Sequence, residues 1–222
     1  VKSGEIVSVF GQVGSGKSTL VDLLQGFHKL ETGSMHLNER SIDDWGLSAW
    51  RSKIAVVAQT EKIFNSTVLD NIFISNDPNE MKRCAEFMHV IGMDTFFNQL
   101  PQGYLTLCGE EGRSLSGGQK QLISIARALY KQPAFLVLDE STSAMDFDTE
   151  SEILEILKKY SGSFCVGIIL ITHRIGLAKQ TDRILILNRG TISDSGTHEE
   201  LATGKNDYAR AFQLLTEINS LN

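Results

Sequence analysis

Apolar positions along this 222-residue chain repeat in two ways. Short runs stand at 6–10, 54–58, 135–138 and 164–171, broken only by Ser8 and Gly167. Runs of that length, rich in β-branched residues and bounded by polar or turn residues, predict strands covered on both faces. Elsewhere the apolar residues return every three or four positions, which predicts helices. Leu20, Leu23, Leu24 and Phe27 form one stripe. Met81, Cys84, Ala85 and Met88 form a second within 79–91, and Leu122, Ile125, Ala126 and Leu129 a third. Ile153, Leu154, Ile156 and Leu157 make a fourth. A tail stripe of Ala211, Phe212, Leu215 and Ile218 is amphipathic and predicted to pack on the core.

Punctuation between these runs agrees with them. Asp77-Pro78 reads as a helix start, and Ser116/Gln119, Thr149/Glu152 and Thr197/Glu200 read as capping boxes. Residues 32–34 and 101–103 are turns, and 35–37 a short strand. Residues 184–193 predict a hairpin about Asn188-Arg189-Gly190. Trp45 and Trp50 suit packing better than a ligand platform. Between about 65 and 126 strand signals vanish, and Phe96, Phe97 and Leu100 offer a small core of their own. The expected layout is therefore a helical subdomain at 65–126 inserted into an α/β core made of 1–64 and 127–222.

Composition narrows the class. With 41% hydrophobic and 22% charged residues the chain can bury a core as one large domain or two small ones. A net charge of −6 argues against a nucleic-acid-binding face. Cys84, Cys108 and Cys165 are scattered, odd in number and without C-x-x-C spacing, so reduced core thiols are expected. No run reaches membrane-spanning length, and no signal peptide is evident. The abrupt entry from Val1-Lys2-Ser3-Gly4-Glu5 into a strand reads as a piece of something longer.

The chemistry concentrates at strand ends. Gly11-Gln12-Val13-Gly14-Ser15-Gly16-Lys17-Ser18-Thr19 matches G-x-x-x-x-G-K-[ST], between a predicted strand and a predicted helix. The glycines let backbone N–H groups turn inward on a phosphate, and the helix start adds positive charge. Lys17 would bridge the β- and γ-phosphates, Ser18 would give its oxygen to Mg²⁺, and Thr19 would bind phosphate. A glycine-rich turn with an exposed lysine is the plain alternative. The run at 54–58 ends at Gln59, the run at 135–138 at Asp139-Glu140, and the run to 171 at Thr172-His173. In a parallel sheet all three reach one crevice. There Asp139 would hold Mg²⁺ and Glu140 would orient or deprotonate an attacking water. Leu115-Ser116-Gly117-Gly118-Gln119 opens a helix with two glycines, a local cost that a closely approaching anion would explain. A plain capping box explains Ser116 and Gln119 equally well.

These motifs, in this order and over nearly the whole chain, resemble the ATPase domain of ABC transporters. The Leu-Ser-Gly-Gly-Gln string at 115–119 is that family's own mark. Residues 64–72 and 108–112 look like the exporter type. The fold implied is an α/β P-loop NTPase core with a mostly parallel sheet, an antiparallel β part and the inserted helical subdomain.

The resemblance implies ATP and Mg²⁺ as ligands, with Glu140, His173, Gln59 and Lys17 as catalytic residues. Metal contacts would come from Ser18, Gln59 and Asp139. Nucleotide contacts would come from 11–19, Gln59, Asp139 and His173, and from Ser116, Gly117, Gly118 and Gln119 of a second copy packed head to tail. Asp146 would cross that interface. Gln59 would link the site to the helical subdomain and so to a transmembrane domain, which places the chain at the cytoplasmic face of a membrane. Two alternatives stand beside an exporter ATPase. An ATP-gated module of slow turnover is opposed by intact Glu140 and His173. A DNA-repair ATPase would need a long coiled coil, and the about sixty residues from Gln59 to Leu115 carry no sustained heptad. Met145 stands where the family commonly has leucine. The aromatic residue that stacks on adenine in exporters would precede residue 1, so weak nucleotide affinity is expected of this stretch alone.

Overall fold

The structure, a computed structural model, describes residues 1–60, 62–73 and 77–220. The side chains of Pro78 and of residues 218–220, Ile218 of the tail stripe among them, lie outside the described residues. Strands β1 (Ile6–Phe10), β2 (His36–Leu37), β3 (Arg40–Ser41), β4 (Ile54–Val57), β5 (Phe135–Asp139), β6 (Gly167–Thr172), β7 (Arg183–Asn188) and β8 (Thr191–Gly196) form two sheets. The larger has the order β4-β5-β6-β1-β7-β8, and β2 pairs with β3 alone. Every pairing from β4 across to β7 is parallel, and only β7 with β8 is antiparallel. The mostly parallel sheet with an antiparallel edge is thus as expected.

Alternation explains why these strands read as unbroken apolar runs. Leu136, Leu138, Ile168 and Leu170 face one core, while Val137, Ile169 and Ile171 face another. Both faces are dry, so neither parity of position needs to be polar. The first core is covered by helices α4 (Val68–Ile72), α5 (Pro78–Ile91), α7 (Gly117–Tyr130) and α8 (Phe147–Phe164), with α6 (Asp94–Phe97) adding Phe97. The second is covered by α1 (Lys17–Leu24), which precedes α2 (Ile42–Trp45) and α3 (Leu47–Lys53). A third, at the β1–β7 side, takes α9 (Ile175–Ala178), α10 (His198–Ala202) and α11 (Asp207–Ser220). The segment from 65 to 126 is helical, with one isolated bridge, Thr67 to Leu107. Its apolar residues run without a break into the first core, and α7 continues through position 126. No helix among the described residues is long and apolar enough to cross a membrane.

Several local expectations need correction. The apolar run at 164–171 is not all strand. Helix α8 runs to Phe164, the chain turns at Cys165 with φ 54°, and β6 begins at Gly167. Cys165 is therefore exposed, whereas Cys84 and Cys108 are buried as expected. Helix α8 starts three residues earlier than the Thr149/Glu152 pair suggested. Asp146 is its cap and accepts from the Thr149 N–H at 3.0 Å. Helix α1 stops at Leu24, so Phe27 lies outside it, exposed beneath the Arg51 guanidinium. Of the tail stripe, Ala211 and Phe212 pack on the core as expected, whereas Leu215 is exposed; the buried residues of α11 among the described side chains are Tyr208 and Ala209. Strand β4 is dry on its faces but sits at the sheet's edge, where Lys131 Nζ donates to the Ile54 carbonyl at 2.7 Å. A charge at an edge also discourages pairing with another chain.

Trp50 is buried and donates from Nε1 to the Leu24 carbonyl at 2.8 Å, which confirms it as a packing residue. Ile168, central in the sheet, is fully buried, whereas Ile192 on edge strand β8 is 58% exposed. Ile168→Ala is expected to cost about 2–5 kcal/mol of unfolding free energy. Ile192→Ala should stay within about 0.5 kcal/mol. Denaturant titration of both variants checks the contrast, and equal losses would contradict this placement of the core.

Candidate functional site

The register of the sheet decides what can meet. Val57 pairs with Leu138, Asp139 with Ile171, and Phe10 with Thr172. Four neighbouring parallel strands therefore end level. The next residues of each chain segment emerge at one carboxyl-end edge: Gln59 after β4, Glu140 after β5, His173 after β6 and Gly11 after β1.

At the end of β1 the chain loops into α1. A Cβ on Gly11 would lie 2.5 Å from Ser15 Oγ and 2.7 Å from the Leu187 carbonyl, so no side chain fits there. Gly16, at φ 107°, caps α1 with no side-chain acceptor for the first N–H groups of the helix. Ser15 Oγ is buried and has no hydrogen-bond partner. Lys17 Nζ folds back and donates to the carbonyls of Gly11 at 2.8 Å and Gln12 at 3.0 Å. Uncapped donors, an orphaned hydroxyl and a cation at one spot are what an anion requires. Gln12, Val13, Gly14, Ser18 and Thr19 are exposed beside it.

Glu140 is the centre of the opposite wall. Its backbone sits at φ 47°, a left-handed conformation that costs an L-residue about 1–2 kcal/mol. The Glu140 N–H donates to the Ile171 carbonyl at 3.0 Å, which fixes the bend. The carboxylate then accepts from Gln59 Nε2 at 3.3 Å on Oε2, and His173 Nδ1 lies 3.1 Å from Oε1. Three residues named from strand ends alone are thus in contact. Asp139 is half-buried between this group and α1. Burial raises its carboxyl above the ordinary value of 3.8, the Glu140 charge raises it further, and the Lys17 charge opposes both.

Among the described residues no hydrogen bond joins residues 115–119 to 11–19. Ser116 Oγ accepts from the Gln119 N–H at 3.2 Å and Gln119 Oε1 from the Ser116 N–H at 2.9 Å, so the capping box is formed. A Cβ on Gly118 would come within 3.2 Å of the Ala144 carbonyl. Close approach of the chain's own 143–145 loop is thus one physical reason for a glycine here, and the anion reading alone missed it. Gln121 ties the same contact, accepting from the Ala144 N–H at 3.1 Å. Asp146 spends its carboxylate on capping α8.

Two contacts gave no sequence signal. The hairpin turn, with Arg189 at φ 47° and Gly190 at φ 79°, donates the Gly190 N–H to the Ser15 carbonyl at 2.8 Å. The turn is legible as a turn. Its reach across to the phosphate loop follows only from β7 lying beside β1. A cleft of about 670 Å³ opens between this turn, the outer side of the loop and Arg210, but it contains none of Gln59, Asp139, Glu140 and His173. The second contact joins Thr142, Glu150 and Arg174 behind the site.

Comparison with known proteins finds relatives in both sequence and fold. The family model described as ABC transporter matches residues 1–143. The chain is 37% identical over 215 residues to the alpha-hemolysin translocation ATP-binding protein HlyB of Escherichia coli O157:H7, covering 96% of this chain and 30% of that protein. It is 38% identical over 216 residues to the ATP-dependent lipid A-core flippase of Chromohalobacter salexigens, covering 96% of this chain and 37% of that one. The structure of a bacterial Atm1-family ABC exporter with ATP bound superposes with a TM-score of 0.85 at 32% identity, over 96% of this chain and 37% of that chain. The chain spans about a third of the length of these relatives.

A raised carboxyl pKa in the folded state means that ionised Asp139 opposes folding. Its contribution is favourable below the ordinary value of 3.8 and is lost as pH rises through the raised value. Asp139→Asn is therefore expected to raise the thermal midpoint of the nucleotide-free chain at neutral pH, with the gain vanishing in acid. An unchanged or lower midpoint at neutral pH would contradict the assigned environment.

Proposed function

The chain belongs to the ABC transporter family, and on that premise we propose that it is the ATP-hydrolysing domain of a membrane exporter. The observation that carries this reading is the contact of Gln59, Glu140 and His173 at the same sheet edge as the loop 11–19. The loop's backbone N–H groups and Lys17 hold the β- and γ-phosphates, and Lys17 leaves the carbonyls of Gly11 and Gln12 to do so. Ser18, Asp139 and Gln59 supply the hard oxygen donors that Mg²⁺ takes. The metal, when bound, neutralises charge on the β- and γ-phosphate oxygens. Glu140 accepts a proton from the attacking water, and His173 holds the γ-phosphate and the Glu140 carboxylate in one arrangement.

Two copies pair head to tail. The 115–119 segment of one faces the phosphate loop of the other, and Ser116 and Gly118 reach the γ-phosphate there. Support comes from the lack of any hydrogen bond, among the described residues, between that segment and the loop of the same chain; a second copy would bring the two together on the nucleotide. Asp146 lies at the same junction. The helical region 65–126 acts as the inserted subdomain that meets a transmembrane partner, with the chain at the cytoplasmic face. Loss of the γ-phosphate removes the bridge between copies and lets them part. Nothing in this scheme calls for nucleic acid.

Glu140→Gln is expected to leave ATP affinity unchanged and lower turnover by about 10²–10⁴-fold, the usual worth of a positioned base. The same variant should pair in ATP and not in ADP, read by light scattering. Wild-type turnover in the variant, or a monomer at saturating ATP, would remove the proposed roles.

A further inference from the structure

Behind the catalytic wall lies a carboxylate that the mechanism above does not use. Glu150 sits in the first turns of α8 and is 5% exposed. Its Oε1 accepts two hydrogen bonds, one from Thr142 Oγ1 at 2.8 Å and one from Arg174 Nη1 at 2.7 Å. Arg174 Nη1 also donates to the Thr142 carbonyl at 3.4 Å, and the Arg174 N–H donates to Thr172 Oγ1 at 2.9 Å. Thr142 follows Glu140 by two residues. Arg174 directly follows His173.

We infer that Glu150 is a positioning residue for the Glu140–His173 pair, a role that rests on the ATPase reading given above. One oxygen atom ties the loop leaving β5 to the segment leaving β6, and so sets how far apart the two side chains stand. The need is concrete. Glu140 is held in a left-handed bend, and its backbone N–H is tied to the Ile171 carbonyl of β6, on the strand side of the bend. Beyond the bend the loop at 141–146 has no regular structure of its own. There Gln121 holds Ser143 and Ala144 to α7, and the Thr142–Glu150–Arg174 bridge ties Thr142 to the segment leaving β6. A buried carboxylate is an expensive way to fill space, because an apolar side chain would pack there without desolvating a charge. Its two donors come from the two catalytic segments, and that arrangement gives it a purpose beyond packing. Glu150 touches neither substrate nor the reacting atoms.

The test uses this chain with histidines labelled for NMR, in wild-type form and as Thr142→Val, Thr142→Ser, Glu150→Gln and Arg174→Met. Thr142→Val removes one hydroxyl at nearly constant volume and so preserves the fold even if Glu150→Gln does not. In Thr142→Val the ring signals of His173 are expected to shift while those of the other four of the five histidines stay. In Thr142→Ser, which keeps the hydroxyl, His173 should return to its wild-type position. Steady-state turnover should follow the same order. We expect kcat to fall about ten- to a hundredfold in Thr142→Val, Glu150→Gln and Arg174→Met, with KM for ATP within about twofold and Thr142→Ser near wild type. Folded variants with unmoved His173 signals and unchanged kcat would overturn the inference. The NMR readout does not need turnover. A wild-type chain that fails to hydrolyse ATP would therefore count against the ATPase reading, while the His173 shift would still decide the role of Glu150.

Discussion

Everything at the candidate site depends on one constraint: β4, β5, β6 and β1 run parallel and end level. In an antiparallel arrangement, residues following alternate strands would appear at opposite edges. Here Gln59, Glu140, His173 and Gly11 follow four adjacent strands and share one edge. Parallel pairing in turn requires crossovers that bury both faces, which is why each strand is apolar at every position or nearly so. The same property that makes the strands easy to find in the sequence makes the site possible.

The edge is also where local rules are broken. Glu140 is strained, α1 begins without a side-chain cap, Ser15 Oγ has no partner, and Asp139 carries a carboxyl with a raised pKa. Several other helix starts are well served. Ser41, Thr67, Ser116 and Thr197 all close capping boxes. Helices α3, α6 and α9 also start without a side-chain cap, so what sets α1 apart is that its open start shares one edge with an orphaned hydroxyl and a strained carboxylate. In the proposed function a phosphate would fill those open donors.

Most of this was legible in the sequence because it is local. The phosphate loop, the carboxylates after β5 and the histidine after β6 each follow an apolar run, and period-two burial on both faces leaves little doubt about such runs. What was missed is non-local or depends on a single residue's backbone. Phe164 was read as strand because it abuts the apolar run, yet α8 packs Tyr160 and Phe164 ring against ring and ends only at the left-handed turn of Cys165. Thr149 and Glu152 mimic a cap, but Asp146 reaches the orphan N–H groups first. The glycines at 117 and 118 suggested an anion, and their contact with Ala144 is invisible until the fold brings 144 to 118. The Gly190–Ser15 bond and the Glu150 bridge are tertiary in the same sense.

In the proposed function the loop 11–19 of one copy and the 115–119 segment of another would share the nucleotide, while Gln59, Glu140 and His173 meet within one chain. The account stands on the loop being a phosphate cradle whose cation is held in reserve. Calorimetric titration of ATP with Mg²⁺ into wild type and Lys17→Ala tests this most directly. The account predicts an affinity lower by about tenfold or more in the variant, the scale of one lost charge-assisted contact, with the thermal midpoint of the free chain little changed. Equal affinity in the two proteins would contradict it.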